Sequence, residues 1–116
     1  MNIQRLHVGP RLSEVAIFNK TVYLAGQIAE DTGQDFAGQT REVLGHVDRL
    51  LAEAGSDKTQ ILMCQIYITD TANMKIMNEI WDAWVPAGNT PPRATVQAQL
   101  VRPELLIEIV VTAAQK

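Results

Sequence analysis

The nine residues ILMCQIYIT at 61–69 decide the fold. Both of their alternating faces are largely apolar, which predicts a strand in the middle of a sheet. Cys64 sits inside that strand and reads as a buried small hydrophobe rather than a nucleophile. Immediately downstream, Asp70 or Thr71 offers a helix cap. Met74, Met77, Trp81 and Trp84 then step 3, 4 and 3 residues along one helical face, as core rather than as a cofactor box. Pro86 and the GNTPP run at 88–92 stop that helix. Upstream, Phe36, Thr40, Val43, Leu44, Val47, Leu50, Leu51 and Ala54 recur every three or four residues. They form one apolar stripe on a helix of about five turns, closed by Gly55 as its C′ residue.

The outer segments switch to a period of two. EVAIF (14–18) and TVYLAGQ (21–27) are β-rich and are joined by Asn19-Lys20, a two-residue hairpin turn. AEDTGQD (29–35) reads as a loop. In RATVQAQL (93–100), Ala94, Val96, Ala98 and Leu100 face one way and Arg93, Thr95, Gln97 and Gln99 the other. LLIEIVVTA (105–113) forms the last strand, and a short extra strand is expected at 3–7. The order β-β-α-β-α-β-β predicts an α+β fold in a single domain, 1–116: one mixed or antiparallel sheet with two helices on one face. The opposite face is left partly apolar at Met63, Tyr67, Leu106 and Val110. Such a patch needs a partner, and self-association is the simplest one.

Composition excludes several functions. The 116 residues are 47% hydrophobic and 20% charged, which fits a packed domain and not a disordered chain. A net charge of −3 argues against nucleic acid or an anionic membrane as the main partner. The longest apolar run, 105–114, is far short of the roughly 20 residues of a membrane helix. MNIQRLHVGP has no signal-peptide pattern, and the lone Cys64 cannot form an internal disulfide, so a cytoplasmic location is expected.

Two residues stand out as chemistry-bearing. Glu108 interrupts an apolar strand between Ile107 and Ile109. A carboxylate there is costly unless paired, so it is either a structural ion-pair member or edge residue, or a group kept for proton transfer. Arg93 follows Pro91-Pro92, which hold the chain extended, and begins a strand whose other face is apolar. It is either a surface arginine or a guanidinium placed to grip a small carboxylate bidentately. Gln97 and Gln99 share its face. His7 and His46 lack metal-ligand spacing, there is no CxxC, and Gly26-Gln27 follows a strand without completing a phosphate-loop pattern, so no metal site or cofactor is expected.

The ordered landmarks resemble a known family. They are Gly9-Pro10, VYLAGQIAED at 22–31, QTREVLGHVDRLLAEAGSDKTQIL at 39–62, QIYITD at 65–70, MNEIWDAW at 77–84, and PPRATVQAQL with LLIEIVVTAA between 91 and 114. The chain resembles the reactive-intermediate deaminase (RidA, or L-PSP-like translation-inhibitor) family, in a shorter branch than its best-studied members. The resemblance implies a chorismate-mutase-like fold of the bacillary type and a cytoplasmic homotrimer with sites in clefts between subunits. It implies a hydrolase that removes reactive metabolites by deaminating 2-imino or 2-enamino acids to 2-oxo acids and ammonia, without cofactors. It gives Arg93 the substrate carboxylate and Glu108 the attacking water. It lets the Ala25-Gly26 backbone and the Thr95 N–H hydrogen-bond the reacting group. Arg11 stands where those members carry a pocket-closing tyrosine, and Ala25 where a serine is common. A second cation there would favour dicarboxylates if it faces the cleft, or would do nothing if it faces solvent. The alternative is a non-catalytic trimeric binder of 2-oxo acids, or a regulatory or chaperone-like protein. A nuclease role, suggested for some relatives, is disfavoured by the charge and by the lack of a basic, aromatic-rich stripe.

Overall fold

In the computed structural model, which describes residues 2–116, the 61–69 segment runs through the interior of a six-stranded sheet. The strands are β1 (Gln4–Val8), β2 (Ser13–Phe18), β3 (Thr21–Leu24), β4 (Ile61–Ile68), β5 (Arg93–Gln97) and β6 (Ile107–Ala114). Their order across the sheet is β1-β2-β3-β6-β4-β5. All pairs are antiparallel except β4 and β5, which are parallel and joined by a crossover through helix α2 (Met74–Trp84). The sheet is therefore mixed, and both helices pack on one face of it, as the pattern of periods predicts.

Local chemistry sets the element ends. Asn19 and Lys20 both adopt positive φ (52° and 63°), the requirement of a type I′ hairpin turn. Helix α1 (Phe36–Glu53) starts where the Asp35 carboxylate accepts from the Gly38 N–H at 2.9 Å. It ends in a Schellman motif: Ser56 N–H reaches Leu51 O at 2.8 Å, Gly55 N–H reaches Ala52 O at 3.2 Å, and Gly55 takes φ +77°. Asp70 caps the short 3-10 turn Thr71–Asn73, which leads into α2, rather than α2 itself. The stripe residues of α1 meet Met77 and Trp81 of α2 and Cys64, Ile66, Ile68, Ile107, Ile109 and Val111 of the sheet in one core. Burial pushes the Cys64 thiol up to about 12, the nearby Arg93 charge offsetting only part of this, so the thiol is packing material at neutral pH.

Three expected strand boundaries move by two residues or more. The 93–100 strand stops at Gln97, because β4 ends at Ile68 and the Ala98 N–H to Ile68 O bond (2.9 Å) is the last that β4 can supply. The last strand begins at Ile107, and Leu106, expected on the uncovered face, is half-buried against the core. The 21–27 strand ends at Leu24. Three residues (24–26) then face two of β6 (110–111) before pairing resumes at Gln27 with Ile109, which is a β-bulge. The helix-free face carries Tyr23, Met63 and Val96 exposed, with Tyr67 and Val110 half-buried.

Candidate active site

Glu108 lies on that helix-free face. It is directly opposite Tyr67 on β4, one residue out of step with the buried Ile107 and Ile109. Its carboxylate is seated over Gly26 in the bulge. A Cβ at Gly26 would overlap Glu108 Oε2 and come within 2.9 Å of its Cδ, so only glycine leaves room for the carboxylate. The bulge is pinned on both sides. Gln27 exchanges backbone bonds with Ile109 (2.8 and 3.1 Å), and the Ala25 N–H donates to Glu14 O at 2.9 Å. The buried Gln27 side chain donates to the Ala25 carbonyl (3.0 Å) and to Glu14 Oε2 (3.1 Å). The Gly26 N–H and C=O, by contrast, bond to no other described residue. A hydrogen-bonding edge beside Glu108 is thus centred on Gly26. Ala25 has its N–H already engaged and its carbonyl partly so.

Beyond the bulge, the 29–35 loop is tied down by Glu42 of α1. Its carboxylate accepts from the Glu30 N–H (2.5 Å), the Asp31 N–H (3.3 Å) and Gln34 Nε2 (2.7 Å), and faces His46 Nε2 at 2.7 Å. Burial works against ionisation. The hydrogen bonds from Glu30, His46 and Asp31, with the His46 charge, nevertheless hold the carboxyl below its ordinary value.

Arg93 starts β5, the edge strand, in register with Cys64, so its side chain lies on the helix side of the sheet. Nη2 donates to Asn78 Oδ1 at 2.6 Å, and Cζ lies 5.0 Å from the centroid of the Trp81 ring. Nη1 is buried and has no partner, and no described carboxylate lies within ion-pair distance of the guanidinium. Thr95, in register with Ile66, and Gln97, whose Oε1 accepts from the Thr71 N–H at 3.0 Å, share this face. Arg11 is exposed in the Gly9–Leu12 turn.

Within one chain these residues form two groups, not one. Glu108 and Gly26 are together on the helix-free face. Arg93 and Thr95 are on the helix face, two strands away, about 10 Å across the strands, and Arg93 lies a further three residues, about 10 Å, along them. Neither the 480 Å³ groove between α1 and α2, nor the 450 Å³ hollow past the end of β5, nor a 220 Å³ cleft beside Gly26 contains Arg93 or Glu108. Among the described residues no three His, Cys, Asp or Glu side chains are grouped as metal ligands, and no helix is long and apolar enough to cross a membrane.

Three supporting residues were not singled out from the sequence. Asn78 holds Arg93. Gln27 braces the bulge. Fully buried Gln39 binds Glu104 O and the Leu106 N–H (both 3.0 Å), fixing the chain just before the strand of Glu108. The signal was available: each is a polar residue beside or within an apolar stripe, where burial demands a partner.

Comparison with known proteins agrees with the fold. The family model described as endoribonuclease L-PSP matches residues 2–115. A RutC family protein of Haemophilus ducreyi is 45% identical over 112 residues, covering 97% of this chain and 96% of the relative. The crystal structure of NMB1025 from Neisseria meningitidis, a YjgF family member, superposes with a TM-score of 0.97 at 45% identity, covering 100% of this chain and 97% of that one. That of YyfA from Yersinia pestis, of the Rid family, gives 0.83 at 33% identity, covering 92% and 90%. The chain therefore belongs to the L-PSP family, the group whose members also carry the names YjgF, RutC and Rid.

Proposed function

We propose that this protein hydrolyses reactive 2-imino acids, and the enamines in tautomeric balance with them, to 2-oxo acids and ammonia in the cytoplasm. The observation that carries this reading is Arg93: a guanidinium fixed in direction, one hydrogen bond short, and facing no carboxylate of its own chain. A substrate carboxylate supplies both the missing acceptor and the missing charge. Glu108 over Gly26 supplies the second half of the site. Because the two halves lie apart within one chain, the reading places the reaction between copies of a homotrimer. The apolar helix-free faces pack together there, and Glu108 of one copy approaches Arg93 of the next.

The chemistry then needs only water and these side chains. Arg93 holds the carboxylate of the protonated imine, leaving the imine carbon beside a water on Glu108. Glu108 takes a proton as the water oxygen bonds to carbon and the C=N π pair returns to nitrogen. Glu108 then returns that proton to nitrogen, the C–N bond breaks with its electron pair, and ammonia leaves. Loss of the hydroxyl proton completes the 2-oxo acid. In this reading the Gly26 N–H and the Thr95 N–H hydrogen-bond the reacting atoms. RNA cleavage, which the family's description names, finds no support in a chain of net charge −3.

The test is a coupled assay in which an amino-acid oxidase generates 2-iminobutanoate and semicarbazide traps the surviving imine. The protein suppresses semicarbazone formation, and Arg93→Ala abolishes the suppression with the assembly intact. Unchanged suppression by Arg93→Ala removes Arg93 from the mechanism. If no imine is consumed, thermal shift with 2-oxobutanoate tests the alternative, a binder without turnover.

A further inference from the structure

We infer that Asn78 is a positioning residue that presents Arg93 to its ligand as a full cation, directed but not neutralised. The inference rests on the reading of Arg93 as the carboxylate-binding group. Asn78 and Trp81 are three residues apart on α2 and so share one side of the helix, between the buried Met77 and the edge of the sheet. Both touch Arg93. The Asn78 amide oxygen accepts from Nη2 at 2.6 Å, and the Trp81 ring lies 5.0 Å from Cζ. A guanidinium only donates, so the amide must turn its oxygen toward it. The ring is itself fixed against Trp84, with centroids 5.4 Å apart.

The ordinary way to hold a half-buried arginine is a carboxylate, which fixes its direction and cancels its charge together. Here direction comes from a neutral amide and an aromatic face, and neither brings a negative charge. The arrangement leaves Nη1 without an acceptor. As a purely structural device it is the weaker choice. As a receptor for an anion it is the better one, because an aspartate at position 78 would compete with every incoming carboxylate.

The discriminating variant is Asn78→Asp, which keeps the shape and the acceptor and adds only charge. Binding of 2-oxobutanoate and of its neutral analogue 2-oxobutanamide is measured by calorimetry on wild type, Asn78→Asp, Asn78→Ala and Arg93→Ala, alongside melting temperature. Asn78→Asp is expected to melt at or above the wild-type temperature. It should lose carboxylate affinity, and raise KM more than it lowers kcat, by about tenfold or more, with the amide analogue unaffected. Asn78→Ala frees the guanidinium and weakens carboxylate binding several-fold. It carries the test if the aspartate variant does not fold. Wild-type carboxylate affinity in Asn78→Asp or Asn78→Ala, with Arg93→Ala unable to bind, overturns the inference alone. Undiminished binding by Arg93→Ala overturns the reading beneath it as well.

Discussion

Gly26 shows how much one missing side chain can decide. Its φ is unremarkable, and what excludes a larger residue is the Glu108 carboxylate occupying the space of a Cβ. Gly26→Ala therefore forces Glu108 to swing away. The group that must move is the far end of a flexible, half-buried side chain, so stability is expected to change by less than about 1 kcal/mol, whereas imine hydrolysis falls by about 10²-fold or more, the usual contribution of a positioned acid–base group. A double-mutant cycle checks the cause: once Glu108→Ala has been made, adding Gly26→Ala should change turnover little. Additive losses would mean that Gly26 acts on something other than Glu108. At this scale the sequence is only half legible. Glu108 and Arg93 are conspicuous because a charge in an apolar strand needs a reason. The glycine that seats one and the asparagine that aims the other are ordinary residues until the fold brings them into contact.

Helices and the hairpin turn are the most legible elements, because their signals are local. Asn19-Lys20 can be read directly as a turn, and the structure adds that Lys20 is held at φ 63°, a conformation that suits glycine better. Lys20→Gly is expected to stabilise the fold by about 0.5–1 kcal/mol, and Lys20→Val to destabilise it, because a β-branched side chain suits positive φ worse still, both read by urea unfolding. The bulge at 24–26 is not legible, since it depends on β6, which lies some 85 residues further along the chain. The loop after the bulge makes a pH prediction. Glu42 is held below its ordinary value of 4.5, so its folded-state pKa lies below its unfolded one. Its contribution is then fully present above pH 4.5 and is lost as pH falls through the lower folded-state value. The melting-temperature gap between wild type and Glu42→Gln should close as the solution is taken below pH 4.5. A gap that persists unchanged to pH 2 would show that the carboxylate's charge plays no part in holding the loop.

The whole molecule poses the question that no single chain answers. One face of the sheet is sealed by α1 and α2. The other leaves Tyr23, Met63 and Val96 exposed on the face that carries Glu108, while Arg93 emerges from the helix side at the edge strand β5. The alternation along β4 and β6 makes the uncovered face visible in the sequence. Which residues of a second copy cover it is encoded in surface shape, which periodicity does not carry. In the proposed trimer each site takes Arg93 from one copy and Glu108 from its neighbour, in a head-to-tail ring. Arg93→Ala and Glu108→Gln, each inactive alone, should then complement when co-expressed. A site is intact wherever a Glu108→Gln subunit, which keeps Arg93, faces an Arg93→Ala subunit, which keeps Glu108. With random mixing of equal amounts this holds for about one site in four. The mixture is expected to recover about a quarter of wild-type turnover, with a mass in sedimentation equilibrium matching three chains. Placing both substitutions on one chain and mixing it with wild type also leaves about a quarter of sites intact. The two mixtures should therefore match if the site is shared. If Arg93 and Glu108 instead serve a site within a single chain, the first mixture stays inactive while the second keeps half its turnover, and the proposed arrangement of the trimer fails on that comparison.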